Sequence, residues 1–245
     1  MGKILVLQVR PEVEASDSEY EAFLDKGNLK RNQTERICLD KEALPGDFKV
    51  SDFDAVIVGG GPACVSTPYE EQSEEQRRFD SDLLRVCDEV YEKDIPFLGA
   101  CYGIGILAKH QGSVVSKEKY GEPVGATHVT RTKEGEQDPI VASLPKKFTA
   151  FCGHKEAVQS LPDTAVLLLT SETCPVQMIR VKQNIYATQF HPELDTGGIV
   201  LRINVYKHAG YFPIDEAEDL IHECKKSEVF VPEAILSGFV DRYVT

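Results

Sequence analysis

Cys101, His191 and Glu193 are the residues of this chain whose types and spacing best suit covalent chemistry. Cys101 lies in FLGACYGIGILAKH, residues 97–110, where an apolar run ends at Gly99 and a helical pattern begins. Gly99-Ala100-Cys101-Tyr102-Gly103 is a small-x-Cys-x-small pattern between a predicted strand and a predicted helix. A nucleophile elbow requires it, because the tight turn brings the residues on either side of the nucleophile into near contact. A helix starting after Cys101 would aim its free N–H groups and positive end at the sulfur, which lowers a thiol's pKa. The Tyr102 N–H would face the oxyanion formed when a carbonyl is attacked. Taken alone, the segment fits a buried cysteine in a strand-to-helix turn equally well.

A cysteine nucleophile usually works with a histidine base that a third group orients. Of six histidines, His191 in ATQFHPELD stands at the end of a predicted strand, as Cys101 does. Glu193 follows two residues later, with Pro192 stiffening the link. In continued strand geometry residues 191 and 193 point the same way, so the carboxylate can orient the imidazole. A third piece is VGGGPACVS, 58–66. Its glycines end a strand and let backbone N–H groups approach a ligand, so Gly60 or Gly61 could supply a second oxyanion donor. No Gly-Lys-Ser/Thr follows, so this is not a nucleotide-binding Walker loop.

The elements that must carry these residues read as α/β. Apolar runs at 3–9, 35–39, 54–60 and 95–100 fit strands covered on both faces of a parallel sheet. Phe79, Leu83, Val86 and Val90 form one face of a helix between the last two runs, with Ser73 and Gln76 as a capping box. Such crossovers place ligands at the carboxyl ends of the strands. Further strands are expected at 124–132, 147–154 and 165–171, and a hairpin over 176–191 turning at Gln183-Asn184. A helix is expected from Thr196 to about His208. Two amphipathic helices follow, one with Ile214, Leu220 and Ile221, the other with Ile235, Phe239 and Tyr243. The polar stretch 10–34 reads as a mobile loop. The organisation expected is a domain over 1–210 and a C-terminal helical extension, 211–245, packed on it.

Composition limits the alternatives. The chain has 245 residues, 42% hydrophobic and 27% charged, as in a soluble globular protein. A net charge of −13 argues against nucleic-acid binding, and the N-terminal apolar run is too short for a membrane span. Seven cysteines without a CxxC or CxxH pair suggest a reducing, cytoplasmic setting and neither a disulfide framework nor a metal site. No cofactor motif is found.

The order GGGP, GACYG, FHPE resembles the class I glutamine amidotransferases, most of all the glutaminase domain of GMP synthases and its stand-alone relatives. KHQGSVVSKEKYGEPVG and FCGHKEAVQSLP resemble further segments of that family. The resemblance covers about residues 54–207 together with the first strand. It implies a doubly wound, mostly parallel sheet of flavodoxin-like type with helices on both faces. It implies a triad of Cys101, His191 and Glu193, with oxyanion donors at Tyr102 and in the 59–61 loop. The 153–155 loop (Gly153, His154, Lys155) and Tyr120-Gly121 would border the substrate, His154 as pocket wall. The implied reaction is hydrolysis of a γ-glutamyl amide through a thioester. One departure stands out: the family has Gln four residues after the nucleophile, and this chain has Gly105. Three readings remain open. The chain is a glutaminase that supplies ammonia to a synthetase on a separate subunit. Or it is a stand-alone hydrolase of γ-glutamyl compounds. Or it is a non-catalytic binding protein.

Overall fold

A computed structural model describes residues 2–244. In chain order it runs β1 (Ile4–Gln8), α1 (Val13–Lys26), β2 (Thr34–Cys38), β3 (Ala55–Val58), α2 (Glu74–Lys93), β4 (Phe97–Ala100) and α3 (Tyr102–His110). There follow β5 (Val115–Ser116), β6 (Glu122–Arg131), β7 (Lys147–His154), β8 (Ala157–Val158), β9 (Ala165–Thr170), β10 (Met178–Val181) and β11 (Ile185–Thr188). The chain closes with α4 (Thr196–Tyr206), α5 (Ala217–Lys226) and α6 (Glu233–Tyr243). Nine strands form one sheet in the order β2-β1-β3-β4-β11-β10-β9-β6-β7, while β5 and β8 pair separately. β2, β1, β3, β4 and β11 are mutually parallel, and the rest of the sheet is antiparallel. This is the doubly wound, mostly parallel α/β architecture expected.

The strand sequences explain the two covered faces. Side chains alternate across a strand, so a strand buried on both sides reads as a continuous apolar run. Leu5, Leu7, Val56, Val58 and Phe97 pack with Leu83, Val90 and Ile104 of α2 and α3. Ile4, Val6, Ile57 and Leu98 pack the other way, with Phe23 of α1 and Phe239 of α6. Ser73 caps α2 by accepting the Gln76 N–H at 3.1 Å. The reciprocal half of the expected capping box is not made, because Gln76 Nε2 donates to the Cys64 carbonyl at 2.7 Å.

One expectation is corrected. The polar stretch 10–34 is not a loop: it contains the fourteen-residue helix α1 and a short 3-10 turn before β2. Ala15, Glu19 and Phe23 recur at helical spacing and are all fully buried. The buried glutamate on that face masks the apolar periodicity. The hairpin turns through Lys182, Gln183 and Asn184 as expected. Ile214 belongs to a short 3-10 turn and is 57% exposed, so α5 begins only at Ala217.

Parallel register fixes where the chemistry falls. Thr188 pairs with Ala100, Gly99 with Val58, and Val58 with Leu7. The residues just past these strand ends, Cys101, His191, Gly60 and Arg10, therefore emerge side by side. α6 lies on the opposite face, its Phe239 ring meeting Tyr186 edge-on at a 6.5 Å centroid separation. Phe239 is fully buried. Phe239→Ala is expected to cost about 3–5 kcal/mol through the cavity it leaves. A urea unfolding midpoint equal to wild type would show instead that α6 lies outside the cooperative core.

Candidate active site

The turn at Cys101 has the geometry of a nucleophile elbow. Cys101 adopts φ 54° and ψ −88°, a backbone that L-residues rarely take. A Cβ on Gly99 would lie 2.7 Å from the Gly103 carbonyl carbon, and one on Gly103 would lie 3.1 Å from the Val58 carbonyl oxygen. Contact thus requires Gly99 and leaves only tight room at Gly103. The Cys101 N–H donates to the Thr188 carbonyl at 2.8 Å, which ties the elbow to β11.

His191 and Cys101 meet across Gly60. A Cβ at Gly60 would stand 2.6 Å from His191 Cε1 and 3.3 Å from Cys101 Cβ. His191 Nδ1 donates to Glu193 Oε1 at 2.8 Å, and this bond leaves Nε2 as the basic nitrogen. Arg202 of α4 shares the carboxylate: its Nη2 donates to Glu193 Oε1 at 2.9 Å, while its Nη1 stands 3.0 Å from His191 Nδ1, donor facing donor in the tautomer that protonates Nδ1.

Burial lowers the His191 pKa, with Arg202 and Arg10 adding to the effect against Glu193, so the resting imidazole is neutral. Burial works against the Glu193 charge, yet His191 and Arg202 hold its carboxyl well below the usual carboxylate range. The sequence leads one to expect a depressed thiol pKa at the start of α3. The opposite holds at rest. Burial pushes the Cys101 thiol up to about 12, against the pull of Arg10 and Arg202. The resting pair is a neutral thiol beside a neutral imidazole.

The expected oxyanion donors separate into two groups. The Gly60 N–H is already committed to Glu19 Oε1 at 3.2 Å, which removes Gly60 from that role. The N–H groups of Tyr102 and Gly61 make no hydrogen bond to a described residue. The Tyr102 side chain points away and its hydroxyl donates to Asp80.

Glu19 is the main residue that the sequence reading missed. Fully buried, it accepts from Gln8 Nε2 at 2.9 Å, Arg10 Nε at 2.8 Å and Arg202 Nη2 at 3.4 Å, besides the Gly60 N–H. Arg10 Nη1 donates to the Tyr206 hydroxyl at 3.1 Å. The signal available in the sequence was Glu19 lying four residues from both Ala15 and Phe23 on an apolar helical face.

Two lobes open beside Cys101. One is lined by Arg10, His191, Arg202 and an apolar wall that includes Val124, Leu194, Ile199, Ile203 and Phe212. The other is lined by Gly105, His154, Lys155 and Glu156. Gly61, Gly153 and Tyr211 border both. Lys155 holds the strap after α4 in place, since its Nζ donates to the Ala209 carbonyl at 2.9 Å and lies 4.1 Å from the Tyr211 ring centroid.

Glu156, also missed, accepts from the Val65 and Ser66 N–H groups at 2.6 and 2.8 Å. A Cβ on Gly105 would meet Val65 Cγ2 at 3.0 Å and Glu156 Oε1 at 3.7 Å. His154 is held from both sides, its Nε2 2.9 Å from Glu122 Oε2 and its Nδ1 2.8 Å from the Glu156 carbonyl. Tyr120 and Gly121 line neither lobe. A Cβ on Gly121 would come within 3.3 Å of the His154 and Lys155 carbonyls, so this turn backs the pocket loop from behind.

Two trios bring potential metal ligands within 4.8 Å of one another, Glu122-Cys152-His154 and Glu19-His191-Glu193. In the first, Glu122 already accepts from Thr127, Thr173, His154 and Gln177. In the second, the Arg202 guanidinium occupies the space between the two carboxylates. Hydrogen bonding accounts for both. No helix among the described residues is long and apolar enough to cross a membrane.

The chain has recognisable relatives. A family model described as glutamine amidotransferase class-I matches residues 24–198. The chain is 36% identical over 159 residues to a glutamine-hydrolysing GMP synthase of Thermosipho africanus, a match covering 62% of this chain and 28% of that protein. It is 30% identical over 159 residues to a glutamine-hydrolysing GMP synthase subunit of Natronomonas pharaonis, covering 64% of this chain and 76% of that one. The match thus spans little more than a quarter of the full-length bacterial synthase. A crystal structure of a Thermotoga maritima glutamine amidotransferase superposes with a TM-score of 0.76 at 24% identity, over 100% of this chain and 99% of that one. One from Methylobacillus flagellatus gives 0.70 at 15% identity, over 98% and 95%.

The raised thiol pKa predicts how Cys101 responds to iodoacetamide. Labelling should climb about tenfold per pH unit from pH 7 to 10 without levelling, whereas an ordinary thiol levels off near its pKa of about 8.5. Mass spectrometry against Cys101→Ala reads this. A plateau at neutral pH would mean that the resting sulfur is a thiolate.

Proposed function

The chain belongs to the class-I glutamine amidotransferases, and from that premise we propose that it hydrolyses a γ-glutamyl amide through a thioester on Cys101. The observation that carries this reading is His191 held by Glu193 at 2.8 Å, with His191 Cε1 and Cys101 Cβ both within 3.3 Å of the point where a Gly60 Cβ would lie.

The steps follow from the resting protonation. Sγ attacks the amide carbonyl as His191 Nε2 takes the thiol proton, so the nucleophile becomes a thiolate only as it reacts. The carbonyl oxygen takes up negative charge beside the N–H groups of Tyr102 and Gly61. The tetrahedral intermediate collapses, the C–N bond breaks, and His191 passes its proton to the departing amine. Water then adds to the thioester with His191 as base, the C–S bond breaks, and the γ-carboxylate and the thiol are restored. Glu193 stabilises the transient imidazolium.

Two uses of this chemistry are distinguishable. Likeness to the GMP synthase subunit of Natronomonas pharaonis supports ammonia supply to a separate synthetase chain. Gly105 supports the second use, stand-alone hydrolysis of γ-glutamyl compounds. The space beyond Gly105 is occupied by Val65 and faced by Glu156. A glutamine there, as the family resemblance expects, would have to displace the Val65 methyl. The γ-glutamyl end of the substrate is then met by a carboxylate, a fitting partner for an α-ammonium group.

Cys101→Ala is expected to abolish amide hydrolysis and thioester trapping while leaving the unfolding midpoint within about 1 kcal/mol of wild type. Equal turnover by both proteins in an ammonia-release assay would overturn the mechanism. Because His191 must be neutral and its pKa is lowered, kcat/KM should stay level as pH falls through 6.5 and drop only at lower pH. An acid limb centred above 6.5 would contradict the burial argument. Ammonia release from glutamine that requires a purified synthetase partner would favour the first use. Partner-free cleavage of γ-glutamyl peptides would favour the second.

A further inference from the structure

The lobe on the His191 side of Cys101 receives the leaving group, since His191 must hand its proton to the departing nitrogen. Ammonia would need nothing from that lobe. Yet its lining includes a guanidinium whose one free edge faces the reaction centre.

Arg10 is 3% exposed. Its Nε donates to Glu19 at 2.8 Å and its Nη1 to Tyr206 at 3.1 Å, while Nη2 makes no hydrogen bond to a described residue. Nη2 stands 2.9 Å from the point where a Gly60 Cβ would lie, the point that His191 Cε1 approaches to 2.6 Å and Cys101 Cβ to 3.3 Å. Leu194, Ile199 and Ile203 line the same lobe. Nη2 is not among the fully buried unpaired atoms of the described residues, so it opens onto the lobe, where a ligand can reach it. A guanidinium edge is suited to a carboxylate.

Building on the thioester reading above, we propose that Arg10 Nη2 binds a carboxylate carried by the leaving amine, and that the substrate is a γ-glutamyl α-amino acid with an apolar side chain. In such a compound the α-carboxylate is attached to the carbon that bears the amide nitrogen, so it stays beside the bond that breaks. The apolar wall takes the side chain. Glutamine, whose leaving ammonia carries no carboxylate, gains nothing from this contact and is the weaker substrate. Arg10 determines specificity through direct contact with the departing half of the substrate.

The test compares leaving groups on the wild-type protein. γ-Glutamyl-leucine, the γ-glutamyl amide of 3-methylbutylamine (the same compound without its carboxylate) and glutamine are assayed side by side. The dipeptide is expected to exceed the carboxylate-free amide in kcat/KM by at least about 10-fold, as befits a charge-assisted bond. In Arg10→Gln that ratio should fall toward one, and Arg10→Lys should give an intermediate value. If Arg10→Gln does not fold, the wild-type comparison still decides. Equal rates for the dipeptide and the carboxylate-free amide in wild type would overturn this inference and leave the hydrolase reading intact. So would variants that lower all three substrates by the same factor, which would place Arg10 with the reacting sulfur or oxyanion. No turnover of any of the three, with or without a synthetase, would overturn the hydrolase reading and this inference with it.

Discussion

A carboxylate with no solvent contact must be met by donors on every side, and Glu19 is so placed. The groups that meet it come from the end of β1, the loop after β3 and the middle of α4. Each of those segments also shapes the reaction centre. Gln8 and Arg10 continue β1, Gly60 spaces His191 from Cys101, and Arg202 passes from Glu19 to Glu193. The orientation of the imidazole is therefore set two links away, by a side chain that never reaches Cys101. Such buried pairs gain little over an apolar alternative, but breaking one side of a pair generally costs about 3–5 kcal/mol. Their value here is in fixing relative position.

The placement of Cys101, His191 and Glu193 at strand ends was the most legible part of the sequence. GACYG and FHPE could be placed because each follows an apolar run ending in a parallel strand, and register then brings strand ends together. The order of the sheet was less accessible. Nothing local in residues 185–188 says that they insert between β4 and β10. α1 was missed because burial there includes a glutamate, so the apolar stripe is interrupted where it matters most. Tyr120 and Gly121 were placed on the substrate side by resemblance, while contact with the His154 and Lys155 carbonyls puts them a layer behind. The expected low thiol pKa failed because partial burial of the sulfur outweighs the pull of Arg10 and Arg202.

A neutral thiol beside a neutral imidazole changes how the two arginines are understood. They do not hold a permanent thiolate. They share out the charge of two buried carboxylates, Glu19 and Glu193, and leave Arg10 Nη2 and Arg202 Nε without partners among the described residues. On the other side of Cys101, Val65 and Glu156 border the space beside Gly105, and Glu156 accepts the Val65 and Ser66 N–H groups. The lobe toward His191 thus carries an unpaired guanidinium nitrogen of Arg10, and the lobe toward Gly105 carries Glu156 with Lys155.

The bond from the Cys101 N–H to the Thr188 carbonyl has a consequence for how the protein is made. β4 and β11 are neighbours in the sheet but lie nearly ninety residues apart in the chain. Pairings of that sequence separation form late, because the loop between them must close first. During synthesis the first parallel strands and the elbow emerge well before β11. The nascent chain thus carries its cysteine on an unsupported turn, without a base beside it, until the final third of the sequence has docked. A chain that stops before residue 191 therefore presents Cys101 without the His191 imidazole or the Glu193 carboxylate.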